Sequence, residues 1–149
     1  MKIEFAGPQD EAAIKGLLAE YQLPSEDIRP DQLKHFLVLK DQDRLIGVIG
    51  LELYENTALL RSLAIREAYR KQGLAGELVE RAEQHARASG VETLYLLTDT
   101  AERFLVNRGY QKTERSAAPA VIQQTTEFSS LCPLSSVCMT KNLSEQLTR

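Results

Sequence analysis

Tryptophan is absent, and only two cysteines and two histidines occur among 149 residues. With tyrosine and phenylalanine as the only aromatics, a base-stacking platform for nucleic acid is poorly supplied. Two thiols (Cys132, Cys138) and two scattered imidazoles (His35, His85) cannot fill a four-ligand structural zinc site without carboxylates, so no metal site is expected. The cysteines stand six positions apart, neither a CxxC redox pair nor a zinc spacing. A reducing cytoplasm is the natural inference, with a short-range disulfide left open. No apolar run approaches the roughly 18 residues that cross a bilayer. The opening Met1-Lys2-Ile3-Glu4-Phe5 shows neither an apolar h-region nor a small-residue cleavage site, so no signal peptide is expected. Positive charge is not in excess either: 18 basic residues face 21 acidic ones, a net charge of −3. Neither nucleic acid nor a membrane is therefore an expected partner.

What is present is an ordinary globular mixture, 43% hydrophobic and 26% charged, at a length suited to a single domain over 1–149. A strand over 2–6 is followed by Gly7-Pro8-Gln9-Asp10-Glu11, a helix-start pattern with proline at the first helical position and acids in the first turn. Ile14, Leu17, Leu18 and Tyr21 then recur at helical spacing. Pro24 ends that helix, and the acids after Ser25 suggest a short second one before Pro30. Strands are expected over 35–39, 45–54 and 58–65, the last two antiparallel because the turn between them is short. The run 45–53 is apolar on both faces, which implies a sheet covered on both sides. A long helix begins after Gly73 and stops at Gly90, a residue suited to the left-handed C′ position. A buried strand over 91–97, a short helix over 101–108 closed by Gly109, and a strand from Tyr110 come next. Residues 119–128 read as helical, 137–143 as the last strand, and the polar tail 144–149 is expected to fray. The fold class is α/β (α+β): a mixed, mostly antiparallel sheet with helices on both faces.

One stretch carries chemistry. The apolar strand Leu59-Leu60-Arg61-Ser62-Leu63-Ala64-Ile65 feeds a loop, Arg70-Lys71-Gln72-Gly73-Leu74-Ala75-Gly76, that opens the long helix. Backbone N–H groups at a helix start lack intrahelical acceptors and carry the positive end of the dipole. Small residues there let an anion approach the backbone closely, and Arg70 and Lys71 add charge. Neither a Walker lysine pattern nor GxGxxG is present.

These residues resemble the GCN5-related N-acetyltransferase (GNAT) family, whose acyl-CoA signature R/Q-x-x-G-x-G/A is matched by Arg70, Gly73 and Ala75 in the expected strand–loop–helix setting. The resemblance covers nearly the whole chain. It implies acetyl-CoA as cosubstrate, with its pyrophosphate on the backbone around Lys71, Gly73, Ala75 and Gly76, lined by Gln72 and Leu74. The pantetheine would pair like an added strand with Leu63, Ala64 and Ile65. The segments Thr98-Asp99-Thr100-Ala101-Glu102-Arg103-Phe104 and Thr126-Glu127-Phe128-Ser129-Ser130-Leu131-Cys132-Pro133 look like the branch of the family named for arsenic-resistance operons, a label of gene neighbourhood more than of chemistry.

The family pattern is departed from at two positions. Members often carry Asn at the strand end and Tyr in the next helix, where it protonates the departing thiolate; Thr98 and Leu105 stand there instead. Leucine has no proton to give, so solvent, Thr100, Cys132 or a nearby serine are the open donors. Loss of a proton from the acceptor amine calls for a carboxylate base. Glu52 is the candidate, interrupting an apolar strand where burial would raise its pKa; a solvent-facing strand end or a pair with Arg61 is the alternative. Arg61, with Ser62 beside it, is a candidate for bidentate binding of a substrate carboxylate, against an internal ion pair or an edge charge. Thr98, Glu127 and Cys132 complete the substrate-side candidates, with Thr126 beside Glu127; a solvated helix face is the plain reading of the 126–127 pair. Cys132 and Cys138 would offer a thiophilic arsenical at most a two-coordinate clip, and buried structural thiols are the plainer reading. His85 reads as surface or helix-end packing and His35 as strand-edge packing.

The resulting expectation is an acetyl-CoA-dependent N-acetyltransferase. It would move the acetyl group to a small-molecule amine, amino-acid-like or arsenical, by direct attack in a ternary complex. A non-catalytic acyl-CoA-binding sensor is the alternative, motivated by Leu105. Protein acetylation is little supported, because the acids are scattered. A homodimer through the last strand fits the fold.

Overall fold

The computed structural model describes residues 1–143. The tail 144–149 and its expected fraying lie outside the described residues. Seven strands form a mixed, mostly antiparallel α/β sheet in the order β1-β2-β3-β4-β5-β7-β6. They are β1 (Lys2–Phe5), β2 (Phe36–Asp41), β3 (Arg44–Tyr54), β4 (Thr57–Ile65), β5 (Thr93–Thr98), β6 (Gln111–Lys112) and β7 (Val137–Asn142). The helices are α1 (Glu11–Glu20), α2 (Leu74–Ala88), α3 (Glu102–Val106) and α4 (Ala120–Gln123). Among the described residues, no helix is long and apolar enough to cross a membrane.

The chain folds as two compact units. The first comprises Met1–Glu52 and Arg61–His85. In it β1 pairs antiparallel with β2, and β2 with β3. Ile14, Leu17 and Leu18 on one face of α1 pack with Phe36, Val38, Leu45, Val48 and Ala64. Residues 45–52 of β3 are buried without a break, as a strand covered on both faces requires. Gly50 sits opposite Phe36 in the register, and an added Cβ there would run into the buried Phe36 ring. The start of α1 differs slightly from expectation. A 3-10 turn, Pro8–Asp10, precedes it, and the Asp10 carboxylate accepts the Gly7 N–H at 2.9 Å.

The expected helix after Ser25 is absent; 26–27 form a turn, and a 3-10 helix, Pro30–His35, lies later instead. Pro30, read as the limit of the expected helix, supplies the first position of this one, and the Gln32 side chain reaches back to the Arg29 N–H at 2.8 Å.

The second unit comprises Leu53–Leu60 and the chain from Ala86 onward. Here β4 pairs parallel with β5 at Thr57↔Thr93, Ala58↔Leu94 and Leu59↔Tyr95, while β7 runs antiparallel to both β5 and β6. Its core holds Leu59, Ala118, Ile122, Phe128 and Cys138 with Tyr54, Tyr95 and Leu97 against them. The end of α2 is closed as its glycine suggested. Gly90 adopts φ +90°, its N–H bonds Arg87 O, and the Val91 N–H reaches Ala86 O, a Schellman pattern. The strand then starts at Thr93 rather than at 91, and the strand after Tyr110 is only two residues long. The expected helix over 119–128 is broken. At its end the Ile122 carbonyl accepts both the Thr125 N–H, at 3.1 Å in a tighter i+3 bond, and the Thr125 hydroxyl at 2.7 Å, and α4 stops at Gln123. One π-type turn follows over Glu127–Leu131.

Candidate active site

The turn into α2 is held from behind. Arg70 bends back, donating from Nε to Ile65 O at 2.9 Å with its guanidinium 4.7 Å from the Tyr21 ring. Arg66 donates to Leu45 O and to the Glu20 carboxylate, and the Tyr69 hydroxyl donates to Asp41 at 2.8 Å. Arg70 thus braces the loop through its Nε while the residue itself stays exposed. Ala64, Ile65, Leu74 and Gly76 are buried, Leu63 and Ala75 half-buried, and Lys71, Gln72 and Gly73 face outward.

Lys71 and Gly73 both take positive φ, +65° and +79°. Gly73 needs its glycine for that conformation, and a Cβ there would meet nothing within 4 Å, leaving open space above the backbone. The first bond of α2 runs from Glu77 N–H to Gly73 O at 3.1 Å. The N–H groups of Leu74, Ala75 and Gly76 precede it without an intrahelical acceptor. Backbone donors, a positive dipole end and uncluttered space make this turn able to hold a phosphate-like anion.

The second element is a buried ion cluster on the β3–β4 hairpin. Arg61, its side chain fully buried, donates from Nη1 to Glu52 Oε2 at 2.6 Å. It also grips Asp27 with both ends of its fork, Nη1 to Oδ2 at 2.5 Å and Nη2 to Oδ1 at 2.7 Å. Its Nε donates to the Ser62 hydroxyl at 3.0 Å. Neighbouring strand residues normally point to opposite faces. Ser62 breaks that rule with φ +62°, which brings its hydroxyl and the Arg61 guanidinium to one place. Burial pushes the Asp27 carboxyl up, but its hydrogen bonds to Arg61 and the guanidinium's charge outweigh that and hold it below the usual carboxylate range. Glu52 therefore pairs with Arg61, the alternative open for it, rather than standing unpaired in a mostly apolar sheet. Arg61 is committed to internal ion pairs, one of the alternatives open for it.

Sequence reasoning brought Glu52, Arg61 and Ser62 forward and missed Asp27. The only signal for it was the acid pair after Pro24, which reads equally well as a helix start.

The remaining candidates lie in the second unit. Thr98 turns its hydroxyl to the Ala101 N–H at 3.0 Å, bracing the turn into α3. Asp99 accepts the Ser136 hydroxyl at 2.5 Å. Leu105 is buried. Glu127 is buried and Thr126 exposed, which corrects the solvated-face reading for Glu127. Arg115 ties this segment down by donating to the carbonyls of Phe128 and Pro133. Both cysteines are free thiols, Cys132 half-buried and Cys138 buried. Burial pushes the Cys138 thiol up, with Arg115 opposing. Among the described residues no group of three His, Cys, Asp or Glu side chains could hold a metal ion.

His35 and His85 meet, Nδ1 to Nε2 at 3.1 Å, with Phe5 edge-on to His85. Burial lowers both from the ordinary 6.5; the neighbouring His85 charge and then Lys34 lower His35 further. A folded pKa below the unfolded one means the unfolded chain binds more protons, so this contribution is complete above about pH 6.5 and is lost as pH falls below it. Thermal melts at pH 7.5 and 5.5 should therefore show a larger loss for the wild type than for His35→Gln, whose side chain does not titrate. Equal losses would contradict this assignment.

Comparison with known proteins agrees with these features. The acetyltransferase (GNAT) family matches residues 7–111, more than half of the chain. An amino-acid acetyltransferase of Pseudomonas fluorescens (strain Pf0-1) is 30% identical over 98 residues, 64% of this chain. One from Pseudomonas syringae pv. syringae is 28% identical over the same length. The matches span 23% of the length of these relatives. N-acetylglutamate synthase from Neisseria gonorrhoeae, solved with coenzyme A and N-acetyl-glutamate, superposes with a TM-score of 0.83 at 19% identity, covering 95% of this chain and 35% of that one. The PaiA N-acetyltransferase from Thermoplasma acidophilum, solved with coenzyme A, gives a TM-score of 0.69 at 14% identity, covering 95% and 98%. With strand β4, the glycine turn and α2 all inside the matched span, the chain belongs to the acetyltransferase (GNAT) family.

Proposed function

We propose that this protein is an acetyl-CoA-dependent N-acetyltransferase acting on the amine of a small, amino-acid-like molecule. The carrying observation is the Lys71–Gly76 turn: exposed over Lys71–Gly73, of positive φ at Lys71 and Gly73, and opening a helix whose first N–H groups have no intrahelical acceptor. These features suit a pyrophosphate, and the Neisseria and Thermoplasma structures named above contain coenzyme A. The backbone of Leu63, Ala64 and Ile65 would receive the pantetheine arm, and the names of the Pseudomonas relatives support an amino acid as acceptor.

The bound cosubstrate supplies an activated thioester whose thiolate is a good leaving group (thiol pKa about 8.5). The chain's part is to hold the amine and take its proton, and Glu52 is the carboxylate assigned to that step. Asp27 already fills the Arg61 fork, so Arg61 serves here to orient Glu52 rather than to bind a substrate carboxylate. Ser62, Thr98, Glu127 and Cys132 are kept as acceptor-side candidates. The narrower likeness to the arsenic-resistance-operon branch, with half-buried Cys132 in the segment that Arg115 ties down, supports an amine-bearing arsenical as a second acceptor class. Leu105 has no proton to give, so solvent, Thr100, Cys132 and a nearby serine are the candidate proton sources for the thiolate.

Coenzyme A release from acetyl-CoA should be followed with each of the twenty L-amino acids and an amine-bearing arsenical. At least one is expected to raise release well above the amine-free blank, with one acetylated product per coenzyme A by mass spectrometry. Tight acetyl-CoA binding with no release for any amine would favour the acyl-CoA sensor instead.

A further inference from the structure

We propose that Asp27 is a positioning residue for the transfer, acting through Arg61 to fix the carboxylate of Glu52. The inference rests on the reading of Glu52 as the base. Its ground is the shared nitrogen: Nη1 of Arg61 meets both Glu52 Oε2 and Asp27 Oδ2, while Nη2 is held by Asp27 Oδ1. A bidentate grip defines the plane of a guanidinium, which one contact to Glu52 cannot do. Ser62 on Nε supplies the remaining constraint, at a backbone conformation that non-glycine residues adopt rarely.

Asp27 is itself held. It lies in a turn closed by the Ile28 N–H to Ser25 O at 3.1 Å, and Ile28 is a buried plug in the core of the first unit. The Leu23 N–H bonds Leu18 O at the other end of the segment, with Leu23 against the same core. A loop otherwise without helix or strand is thereby pinned on either side of one acid, and that acid reaches 34 positions along the chain to Arg61. Nothing in the packing of the loop alone calls for a carboxylate at 27; the fork of Arg61 does.

The test is a double-mutant cycle on turnover, using the amino acid or arsenical most active in the screen above. Asp27→Asn should lower kcat about tenfold while leaving the KM for acetyl-CoA unchanged. In a Glu52→Gln background the same change should alter kcat less than about twofold, because its route of action is already gone. Asp27→Glu, which keeps the charge and a fork-binding end, should recover part of the loss. An unchanged kcat in Asp27→Asn, or an equal fold-loss in both backgrounds, would overturn the proposal while leaving Glu52 as base. Full turnover in Glu52→Gln would overturn the base assignment and this inference with it.

Discussion

Replacing Glu52 by glutamine is expected to lower kcat by about 10²- to 10⁴-fold, the usual worth of a positioned general base. Glutamine keeps the volume of the side chain, and its carbonyl can still accept from Arg61 Nη1 where the carboxylate does now. Asp27 remains as counter-ion to the guanidinium, so no buried charge is abandoned. The loss should therefore appear in kcat, with acetyl-CoA affinity and melting temperature close to wild type. Alanine would be a poorer choice, since it removes a hydrogen-bond acceptor from a fully buried arginine and mixes folding with chemistry. Steady-state coenzyme A release and a melting curve for the same preparation separate the two effects. Turnover within about threefold of wild type, less than 1 kcal/mol of barrier, would place the base elsewhere.

The legible parts of this molecule are those in which one side chain's surroundings repeat along the chain. The run 45–53, apolar on both faces, implied a strand covered on both sides, and residues 45–52 are buried without a break. The apolar spacing from Leu74, bounded by Gly73 and Gly90, marked α2 to within two residues at its end. Glu52 and Arg61 were visible as polar breaks in apolar strands, with their pairing as one of the alternatives; choosing it depends on the register of the β3–β4 hairpin, which composition does not carry. Asp27 lay beyond reach because it stands in an aperiodic loop, and its partner is distant in sequence. Ser62 was named as a candidate, but its backbone conformation was silent: positive φ at a serine leaves no mark of the kind that glycine leaves at 73 and 90. Residues 119–128 misled because good helix formers at 120–123 run into Thr125, whose hydroxyl competes for the helix's own acceptors.

A glutamate at Gly73 is expected to weaken acetyl-CoA binding by at least about 100-fold. Two effects add. Any side chain at φ +79° carries a conformational cost of roughly 1–2 kcal/mol, and the carboxylate then stands in the open space above a turn proposed to hold a pyrophosphate. Like charges about 4 Å apart near a protein surface repel by up to about 4 kcal/mol, more than a 100-fold loss requires. Gly73→Ala separates the two: its methyl meets no atom within 4 Å, so it carries the backbone cost alone and should weaken binding by no more than about 5- to 30-fold.

Calorimetric titration of acetyl-CoA into the wild type and these two variants tests the proposed cosubstrate site most directly. The account predicts saturation at one molecule per chain for the wild type, competition by free coenzyme A, weaker binding to Gly73→Ala, and no measurable binding to folded Gly73→Glu. No heat with the wild type, or equal affinities for wild type and Gly73→Glu, would contradict it.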